Sequence, residues 1–293
     1  MFEKILVPLD GSNNAEIVLP YLELIADRFR AEITLATVAE PGAADKSHFY
    51  LAYLERIAEQ LQDTLKHRGV AKTKVSVKVL TGRPADEIIK YSAQIKSNLI
   101  VMAGHGASGG TPVLLGSIAT KILSGANTPV LLIRAAAGKI TGRTALLKRI
   151  MVPLDGSKMG ENSLKIVEPL ASQLGAEIVL FQAVEPVRYI PGFETMVPNV
   201  VLPSDDEVKH AAVEYLRSVE QAFRQKGIKT SVAVVADAPA EAIIDYAEAN
   251  DISIIAMTTH GLSGIKRWVF GSTTEKVLQA GSKPLLIIPP AKT

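Results

Sequence analysis

The chain has 293 residues, 47% hydrophobic and 21% charged, and its 32 basic and 30 acidic side chains leave a net charge of +2. That length predicts two domains, the composition argues against disorder, and the balanced charge argues against a nucleic-acid partner held by bulk electrostatics. The absence of cysteine excludes disulfides, cysteine-ligated zinc, iron–sulfur clusters and thiol nucleophiles. No signal-peptide pattern opens the chain, and its apolar runs fall short of the roughly 20 residues of a membrane helix, so a cytoplasmic protein with no membrane partner is expected.

The first predicted strand, Ile5–Leu9, leads through Asp10-Gly11-Ser12 into a helix with an apolar stripe at Val18, Leu22, Ile25 and Phe29. Pro20 within it predicts a kink or a late start. A second strand, Ile33–Val38, precedes a helix carrying Leu54, Ala58, Leu61 and Leu65. The third strand alternates Val75, Val77 and Val79 with Ser76 and Lys78, as a protected edge does. Pro84 suits the first turn of a third helix. Leu99–Met102 and Val130–Ile133 are the fourth and fifth strands, with a helix near Ser117–Leu123 between them.

The pattern then starts again. Lys4-Ile-Leu-Val-Pro-Leu-Asp-Gly-Ser12 returns as Arg149-Ile-Met-Val-Pro-Leu-Asp-Gly-Ser157, identical at seven of nine positions and offset by 145. Pro84, His105-Gly106, Gly116-Ser117 and Pro129–Ile133 return at Pro239, His260-Gly261, Gly271-Ser272 and Pro284–Ile288, now offset by 155. The difference is a net insertion of ten residues around Arg188–Ser204. In the second helix, Leu54, Ala58, Leu61 and Leu65 are matched by Ala212, Leu216, Val219 and Phe223. A period this long is a domain duplication, predicted as domains 1–138 and 146–293 joined by a linker at 139–145.

Alternating strands and helices predict an α/β fold, each domain a five-stranded parallel sheet covered on both faces. The continuously apolar first and fourth strands belong at the centre, which gives the order 3-2-1-4-5. The fifth strand is then an uncharged edge and is expected to be covered. The two fifth strands can meet across a pseudo-two-fold axis, making an intramolecular pseudo-dimer; a homodimer of tandem chains is the alternative.

In this order the winding reverses between strands 1 and 4, and open α/β sheets bind ligands beyond the strand ends at such a point. Asp10-Gly11-Ser12 and Asp155-Gly156-Ser157 follow strand 1. Ala103-Gly104-His105-Gly106 and Thr258-Thr259-His260-Gly261 follow strand 4, and nine residues separate each from Gly116-Ser117 or Gly271-Ser272. A Gly-Ser helix start suits phosphate through free N–H groups and the helix dipole, the glycine permitting close backbone approach or a positive φ. An aspartate on the facing loop can accept hydrogen bonds from ribose or base. The alternative is purely structural: Asp10 and Ser12 cap the first helix and Ser117 the fourth.

Val7-Pro-Leu-Asp-Gly-Ser12, followed by His-Gly, nine residues and Gly-Ser, resembles the universal stress protein family, and the resemblance covers both halves. It implies a tandem member with Rossmann-like (adenine nucleotide alpha hydrolase-like) domains, a cytoplasmic stress-response role and, in one branch, ATP binding. The cofactor so implied is ATP, with Mg2+ as its companion. That branch carries Gly-x-x-Gly, nine residues, then Gly-Ser or Gly-Thr. Gly106, Gly116, Ser117, Gly261, Gly271 and Ser272 match it; Ala103 and Thr258 replace its first glycine while keeping a backbone N–H. By the same resemblance Asp10 and Asp155 hold the nucleoside, Val38 and Ala183 line the adenine pocket, and Met102 and Met257 form its floor. Leu9, Leu154, Ile118 and Thr273 complete the implied nucleotide-binding set. Lys266 and Arg267, in the second spacer only, either neutralise phosphate or form a solvated helix face.

Other motifs lack their structural context. Gly104–Gly109 fits a dinucleotide fingerprint but follows the fourth strand, Gly106–Gly110 fits a hydrolase elbow but lies too far from its strand, and no Walker lysine is present. The five histidines lack metal-ligand spacing. No general base is evident for attack on phosphate. The leading function is therefore an ATP-binding regulatory protein with an unidentified protein partner. A scaffold without nucleotide and a slow ATP hydrolase are the alternatives.

Overall fold

A computed structural model describes residues 2–40, 47–70, 73–106, 115–134, 146–186, 203–259 and 270–290. The predicted linker, most of the inserted loop, both spacers apart from Leu115 and Phe270, and His260 and Gly261 lie outside the described residues. The first half runs β1 (Lys4–Pro8), α1 (Asn13–Glu16), α2 (Leu19–Phe29), β2 (Glu32–Ala39), α3 (Ser47–His67), β3 (Val75–Thr81), α4 (Pro84–Ile95), β4 (Leu99–Ala103), α5 (Ser117–Gly125) and β5 (Val130–Ile133). The second runs β6 (Arg149–Pro153), α6 (Asn162–Leu174), β7 (Glu177–Val184), α7 (Asp205–Arg224), β8 (Thr230–Ala236), α8 (Pro239–Ala249), β9 (Ile254–Thr258), α9 (Ser272–Ala280) and β10 (Leu285–Ile288).

Each half has the order 3-2-1-4-5, and the halves join into one ten-stranded sheet, β3-β2-β1-β4-β5-β10-β9-β6-β7-β8. Neighbouring strands are parallel except β5 and β10, which pair antiparallel with Leu132 opposite Leu285 and Val130 opposite Ile287. The covered fifth strand expected from its bare apolar sequence is thus covered by its own repeat.

Alternation along the strands sorts the apolar residues into two cores. One face gathers Ile5, Val7, Leu99, Val101, Leu131 and Leu286 beneath α2, α3, α6 and α7. The other gathers Leu6, Ile100, Met102, Leu132 and Leu285 beneath α4, α5, α8 and α9. Both cores contain residues of both halves, so apolar packing is continuous across the junction.

Pro20 and Pro169 have different outcomes. In the first half the helix breaks into α1 and α2, and Pro20 falls in the first turn of α2, where a missing N–H costs nothing. Pro169 lies inside α6.

Candidate functional site

The residues after β1 turn sharply. Gly11 and Gly156 have φ of +86° and +77°, a left-handed geometry that favours glycine. Each turn is closed by its aspartate: Asp10 Oδ1 accepts from the Ser12 amide at 3.0 Å and hydroxyl at 2.6 Å, and Asp155 does the same with Ser157. Ser12 in turn caps α1 by accepting from the Ala15 N–H at 3.2 Å. The capping alternative therefore holds for Ser12, while Asp10 braces the turn and keeps its second oxygen on the crevice side.

That second oxygen meets the loop after β4. A Cβ on Gly106 would lie 2.0 Å from Asp10 Oδ2, so only glycine fits there without moving the carboxylate. Asn14 Nδ2 donates to the Gly106 carbonyl at 3.3 Å and ties the loop to α1. The chain beyond returns to its own start: the Gly116 N–H donates to Gly104 O, and the Gly271 N–H to Thr259 O, both at 2.9 Å. Gly104 and Thr259 themselves donate to Ile133 O and Ile288 O.

The helix starts correct two expectations. Gly116 and Gly271, not Ser117 and Ser272, are the N-caps of α5 and α9, and neither helix has a side-chain cap. The cap glycines have φ of −65° and −61°, so positive φ is not their reason. At Gly116 the reason is proximity, since a Cβ would stand 3.1 Å from Gly104 O. An uncapped helix start leaves N–H groups at the positive end of the helix dipole.

Leu9, Leu154, Met102 and Met257 are buried. Val38, Ala103 and Ala183 are half-buried, whereas Asp10, Asp155, Ser117, Ile118 and Ser272 are exposed. Thr258 is buried, its carbonyl accepting from Thr274 Oγ1 at 3.0 Å, and Thr273 is half-buried at the start of α9. In the second half a cavity of about 410 Å³ opens beside Gly156, lined by Gln182, Val184, Val208, Ala212 and Tyr215. Ala183, between Gln182 and Val184 on β7, packs on the opposite core.

Several site residues were not singled out from sequence. The Tyr215 hydroxyl donates to Glu161 Oε1 at 3.0 Å, and Tyr53 lies against Glu16, which also pairs with Arg56 at 3.3 Å. Burial, then the neighbouring glutamate, then Asp10 or Asp155 push both phenols above the ordinary tyrosine range. Glu16 and Glu161 occupy equivalent places after the repeated Asp-Gly-Ser, which was the available signal. Arg134 is the other: it crosses to the second half and donates to the carbonyls of Val277 and Leu278 at the C-terminal end of α9. Burial lowers Arg134 to about 10, and burial together with Arg134 holds His105 below the usual histidine range.

A doubly wound sheet, written twice, with an aspartate-braced turn after the first strand and an uncapped helix start after the fourth in each half, defines a tandem α/β protein. The sequence model of the Universal stress protein family matches residues 1–134 and again 147–289, and the chain belongs to that family. It is similar to the universal stress protein YxiE of Bacillus subtilis, 25% identical over 147 residues, 49% of this chain and 99% of that one. Universal stress protein Rv2005c of Mycobacterium tuberculosis is 23% identical over 221 residues, 74% of this chain and 70% of its own. A crystal structure of a universal stress protein from Archaeoglobus fulgidus shares the fold over 99% of this chain and 100% of that one, with a TM-score of 0.71 and 24% identity. Membership supports a stress-response role. Among the described residues, no helix is long and apolar enough to cross a membrane.

Proposed function

We infer that this is a cytoplasmic, ATP-binding regulatory universal stress protein, with one nucleotide crevice in each of its domains, 1–138 and 146–293. The observation that carries this reading is the contact between Gly106 and the Asp10 carboxylate beside the uncapped start of α5. It joins an acceptor for ribose or base hydrogen bonds to N–H donors for phosphate. In this reading Asp10 and Asp155 hold the nucleoside. Gly106, Gly116, Ser117, Gly261, Gly271 and Ser272 hold the phosphates, and Val38, Ala183, Met102 and Met257 surround the base. Ala103 and Thr258 offer backbone N–H groups where the ATP-binding branch has glycine. Mg2+ arrives on the phosphates rather than in an acidic cage; among the described residues no cluster of three metal-ligating side chains exists. ATP then biases which protein partner the chain engages.

Calorimetry of the full chain with ATP and magnesium tests this, together with mass spectrometry of nucleotide released from gently purified protein. Saturable heat and a released adenine nucleotide are expected. No heat and no thermal shift at millimolar ATP leave the scaffold reading, which the substituted first glycines favour.

A further inference from the structure

The opposite end of the first half's sheet carries a feature unconnected with the switch point. A groove of about 470 Å³ opens at the N-terminal ends of β1, β2 and β3, walled by Lys4, Lys74, Lys96, Glu32, Thr34 and Ser76. Three lysines against one glutamate leave two surplus positive charges in it. Among the described residues, none of these lysines has an ion-pair partner within 4.0 Å, whereas the second-half counterparts of Lys4 and Lys74 both do.

The repeat supplies the comparison. Lys4, Glu32, Lys74 and Ser76 correspond to Arg149, Glu177, Lys229 and Ser231, in the same backbone frame: Ile33 N–H donates to Lys74 O and Ile178 N–H to Lys229 O, both at 2.9 Å. In the second half this frame is filled internally. Glu177 pairs with Arg149 at 3.5 Å and Lys229 at 2.9 Å, and accepts from the Ser231 hydroxyl at 2.9 Å. In the first half Ser76 turns instead to Thr34, whose counterpart is Val179, at 3.2 Å. Lys96 has become Asp251; both keep a left-handed backbone, with φ of 54° and 52°. One duplicated position has therefore reversed its charge on an unchanged backbone, and the internal carboxylate bridge has been released.

We propose that this groove binds a small polyanion carrying phosphate-type groups, and that the second half's equivalent is closed by its own ion pairs. Lys4, Lys74 and Lys96 supply separated ammonium donors; Ser76 donates its hydroxyl proton to the Ile33 carbonyl at 3.3 Å, so the neutral donor available to a ligand is the Thr34 hydroxyl, turned from Ser76. The volume lies within the usual range for small-molecule sites, roughly 300–1,000 Å³. Glu32 on the wall restricts the ligand to anions that reach past it to two lysines at once. This site is independent of the nucleotide reading.

Inorganic pyrophosphate is the probe, added to the full chain while backbone amide resonances are followed. Saturable shifts are expected at Thr34 and Ser76 but not at Val179 and Ser231. Replacing two of the three exposed lysines, Lys74→Gln with Lys96→Gln, should weaken the Thr34 and Ser76 response about tenfold. Thermal unfolding should show the variant as stable as the parent. Pyrophosphate taken up at the other end of the sheet appears at Gly106 and Ser117 instead. Shifts confined to those residues, no saturation at Thr34 and Ser76 in the millimolar range, or an undiminished response in the double variant overturns the proposal.

Discussion

Leu131 and Leu286 hold the same position in the two halves of the chain, and they stand opposite each other in the antiparallel pairing of β5 with β10. The pseudo-two-fold axis therefore passes between them, and each is only 2% or 1% exposed. Replacing Leu131 with lysine buries a charge at the axis and should cost about 4 kcal/mol or more. We expect faster proteolysis between Arg134 and Leu147 and a split of the unfolding transition into two. Leu131→Ala, which should cost about 3 kcal/mol and leave the junction paired, separates loss of packing from loss of pairing. A single transition with unchanged proteolysis in Leu131→Lys contradicts this account of the junction.

Arg134 should matter twice. Its guanidinium meets carbonyls at the negative end of α9 and is 5% exposed, so Arg134→Met should destabilise the chain by about 2 kcal/mol. The same change removes a positive neighbour of His105. The histidine should then titrate at higher pH than in the parent, still held down by burial, which an NMR titration of its ring protons reads directly.

Gly106→Ala places a methyl group where Asp10 Oδ2 lies, so the carboxylate must swing away. Nucleotide affinity should fall about tenfold while the melting temperature moves little, because both residues lie outside the core. Calorimetry on the variant checks the first outcome and thermal unfolding the second. Unchanged affinity removes Asp10 from the nucleoside assignment.

Glu177 gives the chain an acid-sensitive contact. Burial alone raises its carboxyl, but Lys229, Ser231 and Arg149 outweigh burial and hold it below the ordinary 4.5. A carboxyl lowered on folding contributes stability that is complete above its unfolded value and is lost as pH falls through its folded one. Between pH 7 and the ordinary 4.5 the contribution should be steady, and below 4.5 it should disappear. Urea unfolding across this range should show a steeper acid loss in the parent than in Glu177→Gln.

Much of the fold was legible because strand character and repetition agreed. The continuously apolar runs of Ile5–Leu9 and Leu99–Met102 marked central strands, and the charge-free fifth strand, Val130–Ile133, required a cover. Pro20 allowed either a kink or a late start, and local sequence does not decide between them. The site was less legible. Gly116 and Ser117 were located by spacing, but which of them caps the helix depends on Gly104 O, reached across a closed loop. Arg134 looked like a strand end, since its partners, Val277 and Leu278, lie in the other half. Tyr53 and Tyr215 reach Glu16 and Glu161 from helix positions that are not in register between the copies, so comparing the repeats residue by residue passed over them.

The single antiparallel step between β5 and β10 has a geometric consequence for traffic at the molecule's surface. Every strand of the first half points one way and every strand of the second points the other. The two switch points therefore lie on opposing rims of one slab, and the first half's lysine groove shares its rim with the second half's switch point. No flat surface can meet both switch points at once, so ligands placed there would gain nothing from chelation or raised effective concentration at one surface. The chain is instead one slab with two opposed ends, joined by a continuous apolar core.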